Sequence, residues 1–333
     1  MDNPKITIVF GTFKEPKLII PSIQSLLKSS YKAFKTIIVD DNSPEDEAIS
    51  LEVRKIVESY NDERISLIKN DINIGVPFVF KKWIDLVKTE YFLITGAGDI
   101  FDMGALEEYI KFLDKYPAAS FVFAKERFQG IDGNFSELKR EEIETGVYDP
   151  YKYLEFHLIG GKGNYGWSQA SAMYRTEFFK VKNIPVTPYH YWDHYFHMKY
   201  LLFSNKVGYI NKYLAIRHVE PSLKEWANQN IFVNKVETIY QSYKFINEFE
   251  TILVSKRYPI TKYRIVIIKN LLKQFLKLKY IEELFLCSNI FLSLFSKVFL
   301  SSLIILILSP IKLVGYLYLI VRNTYAQKYS DSA

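Results

Sequence analysis

Thr36-Ile37-Ile38-Val39-Asp40-Asp41-Asn42-Ser43 decides the fold: four β-branched residues suited to a buried strand run straight into carboxylates and turn formers. The same plan opens the chain, where Ile6 to Phe10 is followed by Gly11-Thr12-Phe13-Lys14-Glu15, and it recurs at Ile65 to Ile68, Tyr91 to Thr95 and Ser120 to Phe123. Between these runs, Ile19, Ile23, Leu26 and Leu27, then Val79, Phe80, Trp83, Ile84 and Val87, repeat at helical spacing and predict helices with one buried face. Strands alternating with helices predict an α/β fold with a mostly parallel sheet and flanking helices. Ligands of such sheets bind beyond the carboxyl ends of the strands, so the polar residues after each run are the first candidates for chemistry.

The chain has 333 residues, 49% of them hydrophobic and 16% aromatic, enough for a large core and a poor composition for disorder. Cys287 is the single cysteine, which excludes an internal disulfide, and no Cys/His spacing suits zinc; a reducing compartment is the simplest reading. Met1-Asp2-Asn3-Pro4-Lys5 leads into an apolar run of five residues, too short for a signal-peptide core, so the N-terminal domain is expected in the cytoplasm.

At the ends of the first two strands, Asp40 and Asp41 can accept hydrogen bonds from a uracil or thymine imide or from ribose hydroxyls, with Phe13 covering the base and Thr12 bonding it. The same residues also suit a plain turn with a cap for a helix entered near Pro44. Gly96-Ala97-Gly98 after the fourth strand is not a dinucleotide fingerprint, because Phe101 stands where the third glycine belongs.

In their order, Thr12-Phe13-Lys14-Glu15, Asp40-Asp41-Asn42-Ser43 and Asn73-Ile74-Gly75, followed by a strand ending near Asp99, resemble the family 2 glycosyltransferases, with weaker similarity to about residue 223. The resemblance implies a GT-A-like, Rossmann-type fold and an inverting transfer from a UDP- or dTDP-sugar. Thr12, Phe13, Glu15, Asp40, Asp41, Asn73 and Gly75 would be donor-binding residues. The family ends its fourth strand in an Asp-x-Asp-Asp pattern that holds Mg²⁺ or Mn²⁺ against the diphosphate. Here the run is Gly96-Ala97-Gly98-Asp99, and only Asp99 remains as a metal ligand, which weakens the case for metal dependence. Ligation by Asp99 directly or through water, help from Asp102, and partial replacement of the ion's charge by Lys81 or Lys82 all stay open.

Asp193, within Tyr191-Trp192-Asp193-His194, stands at the start of a helical pattern where the resemblance implies the catalytic base; a helix cap is the alternative. Trp167 and Ser168 would line the acceptor pocket, although a core tryptophan reads equally well. Arg217-His218 with Pro221-Ser222-Leu223 resembles the family's basic-histidine-proline segment, so Arg217 and His218 would contact donor phosphates or order a loop.

From Lys256 to Lys279 the chain is basic without one Asp or Glu, and Ile265, Ile268, Leu272, Phe275 and Leu276 offer an apolar side. That predicts an amphipathic helix on an anionic membrane. Residues 284–321 are mostly apolar but broken by Lys297, Pro310 and Lys312, so an anchor that spans or re-enters is expected. The expected organisation is 1–230 for the transferase domain (donor half about 1–124, acceptor half about 125–230), 231–283 for the basic helical segment and 284–333 for the anchor and tail. This places a glycan- or lipid-linked acceptor, and the enzyme, at the cytoplasmic face of the bacterial inner membrane. Nucleic acid is disfavoured because the basic run merges into a lipid-like segment. Two rivals remain. Gly96 and Gly98 motivate a non-catalytic nucleotide or glycan binder, and a nucleotidyltransferase would need a Gly-x-Gly-x-Arg loop that Gly11-Thr12-Phe13-Lys14 does not provide.

Overall fold

The computed structural model describes residues 3–42, 46–130, 134–137, 143–159, 171–181, 192–218 and 231–275. The β-branched runs form β1 (Ile6–Thr12), β2 (Phe34–Asp40), β3 (Ile65–Lys69) and β4 (Tyr91–Gly96), all parallel in the order β3-β2-β1-β4. Around them lie α1 (Ile19–Lys28), α2 (Glu47–Ser59), α3 (Val76–Leu86) and α4 (Ala105–Lys115). This half is as the alternation predicts.

The other half is not. After β5 (Ile100–Phe101) come β6 (Ala119–Gln129), β7 (Phe135–Glu137), β8 (Gly146–Tyr148), α5 (Pro150–Ile159), β9 (Ala172–Arg175), α6 (Thr176–Val181), α7 (Trp192–Phe203) and β10 (Lys206–His218). β9 lies antiparallel between β4 and β6, and β10 is parallel to β6 but antiparallel to β5 and β8. The sheet is therefore mixed rather than mostly parallel. The two antiparallel steps across β9 cancel, so β6 and β10 run the same way as β1, β2 and β4. Thr12, Asp40, Gly96, Gln129 and His218 consequently end on one edge of the sheet.

One face of the sheet presents Ile6, Ile8, Phe10, Ile38 and Leu93 to Ile19, Ile23, Val53, Leu106 and Leu113 of α1, α2 and α4. The opposite face is aromatic. Phe92 and Phe121 stack on Tyr174 at 5.2 and 5.5 Å, Phe196 of α7 meets Phe80 of α3 at 5.3 Å, and Tyr200 meets Phe121 at 5.4 Å. Each such pair contributes about 0.5–1.5 kcal/mol beyond the area it buries. Much of the high aromatic content is thereby accounted for by packing.

The chain divides into two compact units, one of residues 1–156 and 161–224, the other of 157–160 and 225–333. The second contains α8 (Ile231–Glu248), α9 (Glu250–Ser255) and α10 (Ile260–Phe275). Arg264 of α10 forks onto the Glu250 carboxylate at 3.0 and 2.9 Å and donates to Asn247 at 2.7 Å. The buried row of α10 is Ile260, Tyr263 and Ile267, whereas Ile265, on the apolar side expected to face a membrane, is 61% exposed. Among the described residues no helix is long and apolar enough to cross a membrane; the expected anchor at 284–333 lies outside them.

Candidate functional site

Strand alternation sends the two carboxylates at the end of β2 to opposite faces of the sheet. Asp41 turns toward α3 and accepts the Asn70 amide at 2.7 Å, the backbone N–H of Ile74 at 3.0 Å and that of Gly75 at 2.9 Å. Asn73 donates to the Asp41 carbonyl at 2.8 Å, and Asn70 in turn accepts Lys82 Nζ at 2.6 Å. Gly75 caps α3 at φ 78°, a left-handed value that favours glycine. Asp41, Asn73 and Gly75 thus form one clasp that positions α3, and Trp83 of that helix lies over Gly11, where an added Cβ would meet the indole at 3.1 Å. The Lys81 side chain lies outside the described residues.

Asp40 turns the other way, beside Thr12, its register partner on β1. Its Oδ1 accepts the Asn42 backbone N–H at 3.1 Å and the Asn42 amide, while its Oδ2 is buried without a hydrogen-bond partner among the described residues. The Thr12 hydroxyl is in the same condition. α2 starts at Glu47 behind Asp46 with no side-chain cap bond; Ser43 and Pro44, part of the turn weighed as a cap, lie outside the described residues. Beyond Thr12 the chain turns sharply, with Lys14 at φ 59° and its N–H donated to Asn42 Oδ1 at 2.8 Å. Phe13 is 48% exposed and so presents a ring face at the edge, and Glu15 follows it, exposed, ahead of α1.

The turn after β4 is closed in on itself. Asp99 Oδ2 accepts the Thr95 hydroxyl at 2.9 Å and the Gly96 N–H at 2.8 Å, and the Gly98 N–H goes to Ser22 on α1 at 2.9 Å. Burial pushes the Asp99 carboxyl above the usual carboxylate range, against the opposing pull of the nearby Arg217 guanidinium and of the Gly96, Thr95 and His218 donors. Gly98 has φ 96°, and a Cβ there would meet His218 Cβ at 3.1 Å. Asp102 accepts the Gly104 N–H at 2.9 Å in the turn into α4. A divalent ion wants several hard oxygen ligands. Asp99 supplies one carboxylate already engaged by its own turn, and no group of three or more Asp, Glu, His or Cys gathers among the described residues. These residues do not fit a metal ion held by protein carboxylates.

Asp193 lies in the first turn of α7, where its Oδ1 accepts the His194 N–H at 2.9 Å. Tyr200, two turns on, donates to carbonyls of Arg175 and Ser120 at the opposite edge of the sheet, so α7 runs back across the aromatic face and brings Asp193 toward the edge of Thr12 and His218. Burial pushes His194 down to about 4 and His197 to about 3, so both imidazoles of this helix are neutral. Trp167 and Ser168 lie outside the described residues. The sequence reading missed Asn70, Thr95 and Ser22, polar residues whose only local signal is a position at a strand end or on a buried helix face. A depression of about 890 Å³ at the other edge of the sheet, by Phe34 and Arg64, is less suited to chemistry, because Arg64 is already paired with Asp62 at 2.7 Å.

The sequence profile described as Glycosyl transferase family 2 matches residues 7–181, more than half of the chain. The chain belongs to glycosyl transferase family 2. An uncharacterized glycosyltransferase of Methanocaldococcus jannaschii is 30% identical over 162 residues, 47% of this chain and 54% of that protein. The Escherichia coli protein WcaA, whose name places it among colanic acid biosynthesis glycosyl transferases, is 39% identical over 98 residues, 29% of this chain and 33% of its own. The chain thus spans about half or less of the length of these curated relatives.

Two solved structures share the fold. S. aureus TarS 1-349 in complex with UDP-GlcNAc aligns with a TM-score of 0.56 at 16% identity, covering 84% of this chain and 92% of that one. The mannosyltransferase PcManGT of Pyrobaculum calidifontis, in complex with GDP-Man and Mn²⁺, aligns with 0.57 at 14% identity, covering 98% and 88%. At these identities the likeness is one of fold, and it bears out the mixed α/β, GT-A-like architecture of this family 2 chain.

Proposed function

We propose that this chain transfers a sugar from a UDP- or dTDP-linked donor, with inversion, to a glycan- or lipid-linked acceptor in surface polysaccharide synthesis. The observation that carries the reading is the pair of polar atoms at the shared strand edge, Asp40 Oδ2 and Thr12 Oγ1, that have no partner among the described residues. A buried carboxylate oxygen and hydroxyl left unsatisfied are costly unless a ligand completes them, and together they match the N–H and carbonyl of a pyrimidine imide. Membership of family 2 and the UDP-GlcNAc bound by TarS support the same donor class. In the transfer, the acceptor oxygen bonds the anomeric carbon as its proton passes to Asp193. The bond from that carbon to the diphosphate oxygen breaks with its electron pair on the leaving nucleotide. Calorimetry with UDP, dTDP, ADP and GDP tests the pocket: preference for the pyrimidine nucleotides is expected, and equal affinity for all four, or none, overturns it.

The departure at Gly98 favours a second reading, a glycosyltransferase-like protein that binds its ligand without transfer; a donor-hydrolysis assay that detects turnover removes it. The basic run from Lys256 to Lys279 and the apolar residues after it support attachment to the cytoplasmic face of the bacterial inner membrane. Removing residues 256–333, which carry both the basic run and the apolar residues, should move the protein from the membrane fraction to the soluble one, and a shortened protein that stays bound locates the attachment elsewhere.

A further inference from the structure

We propose that the chain holds the donor diphosphate with Arg217 in the place of a divalent cation, an inference that rests on the strand edge being the donor site. The turn where the family keeps its metal-binding aspartates has been rebuilt around their absence. At Gly98 the backbone is left-handed, and the space a side chain would take is occupied by His218. An aspartate there would be strained and would have to displace that histidine. Asp99 points into its own turn, where Thr95 and Gly96 hold Oδ2, and Asp102 closes the entry to α4.

The antiparallel pairing of β5 with β10, Phe101 with Ala215 and Ile100 with Ile216, brings Arg217 alongside Asp99 at the same edge. Arg217 is exposed, forms no ion pair among the described residues, and stands close enough for its charge to act on the Asp99 carboxyl. Of the other cations near this edge, Lys14, Lys69 and Lys82 are engaged with Asp46, Glu47 and Asn70. A guanidinium is permanently charged, and its fork of donors matches two phosphate oxygens. It can therefore balance the negative charge that grows on the leaving diphosphate without needing protein carboxylates of its own.

The test is calorimetric titration of UDP and of uridine into the full chain, in a chelator and in excess Mg²⁺, for the parent protein, Arg217→Gln and Arg217→Lys. The expected result is UDP binding of similar affinity with chelator and with Mg²⁺. Arg217→Gln should lower UDP affinity about ten- to hundredfold and leave uridine affinity unchanged, with part of the loss restored in Arg217→Lys. UDP binding that requires Mg²⁺, or a glutamine variant that weakens UDP and uridine alike, overturns the role of Arg217. A parent protein that binds neither UDP nor uridine under either condition overturns the donor site itself, and the inference with it. Arg217 is exposed, so the variants should keep the parental unfolding midpoint, which confirms that the affinities compare folded proteins.

Discussion

Asp41 accepts the backbone N–H of Gly75 at 2.9 Å, and through that bond the turn after β2 and the glycine that starts α3 become one structure. Its neighbour Asp40 keeps one buried oxygen without a partner among the described residues. Adjacent carboxylates of the same motif are therefore differently engaged, one by the turn into α3 and the other with an oxygen left open among the described residues.

This division predicts opposite phenotypes. Asp41→Asn turns one acceptor oxygen into a donor amide facing N–H groups, and should lower stability by about 2–3 kcal/mol, read as a lower urea midpoint at unchanged slope. Asp40→Asn keeps the oxygen that Asn42 uses and removes a buried charge whose second oxygen has no partner among the described residues, so its urea midpoint should be equal to or above the parent's. Its nucleotide affinity should fall about tenfold or more. Equal midpoints for the two variants would refute the clasp.

The glycines give the second prediction. Gly75→Ala places a β-carbon at φ 78° and should cost about 1–3 kcal/mol. Gly98→Asp, at φ 96° and against His218, should cost at least as much and confer no Mg²⁺ dependence on nucleotide binding. A stable Gly98→Asp protein that gains such dependence would mean that the turn is an intact metal site lacking one ligand.

The first half of the sheet was legible because each strand is one apolar run followed at once by polar turn residues, as in Thr36 to Asn42. The second half was not. β9 is four residues that pair antiparallel with both neighbours, and β10 interleaves Lys206, Asn211 and Lys212 with apolar residues and shifts register within its pairing to β6, so neither carries a clean period. Sequence order likewise pointed to Asp40, Asp41, Asn73 and Gly75 as donor-binding residues, but not to the bonds that tie the last three together. That Asp41 is held by donors 29 to 34 residues away is a property of the folded edge and has no local signal.

Acid stability supplies the third prediction. Burial holds His194 near 4 and His197 near 3, below the ordinary 6.5, so the unfolded chain binds protons that the folded chain refuses. Their contribution is fully present above about 6.5 and is lost as pH falls toward those lower values. Urea midpoints should therefore drop on acidification below about 6.5, with a shallower slope in His197→Gln. Parallel profiles for variant and parent would show that His197 is not held neutral by the fold.

The last prediction separates chemistry from structure at Asp193. Its Oδ1 accepts the His194 N–H in the first turn of α7, a bond that the amide oxygen of an asparagine can also accept, so Asp193→Asn should keep the helix start and the parental urea midpoint. What the substitution removes is basicity. If Asp193 takes the acceptor proton, turnover should fall by about 10² to 10⁴, while donor affinity, set by residues on β1, β2 and β10, stays at the parental value. Transfer at nearly the parental rate would reduce Asp193 to a helix-start residue and send the search for the base elsewhere along the edge. Loss of donor binding together with turnover would place Asp193 in the donor pocket instead, and loss of the midpoint would expose a structural role that the asparagine cannot fill.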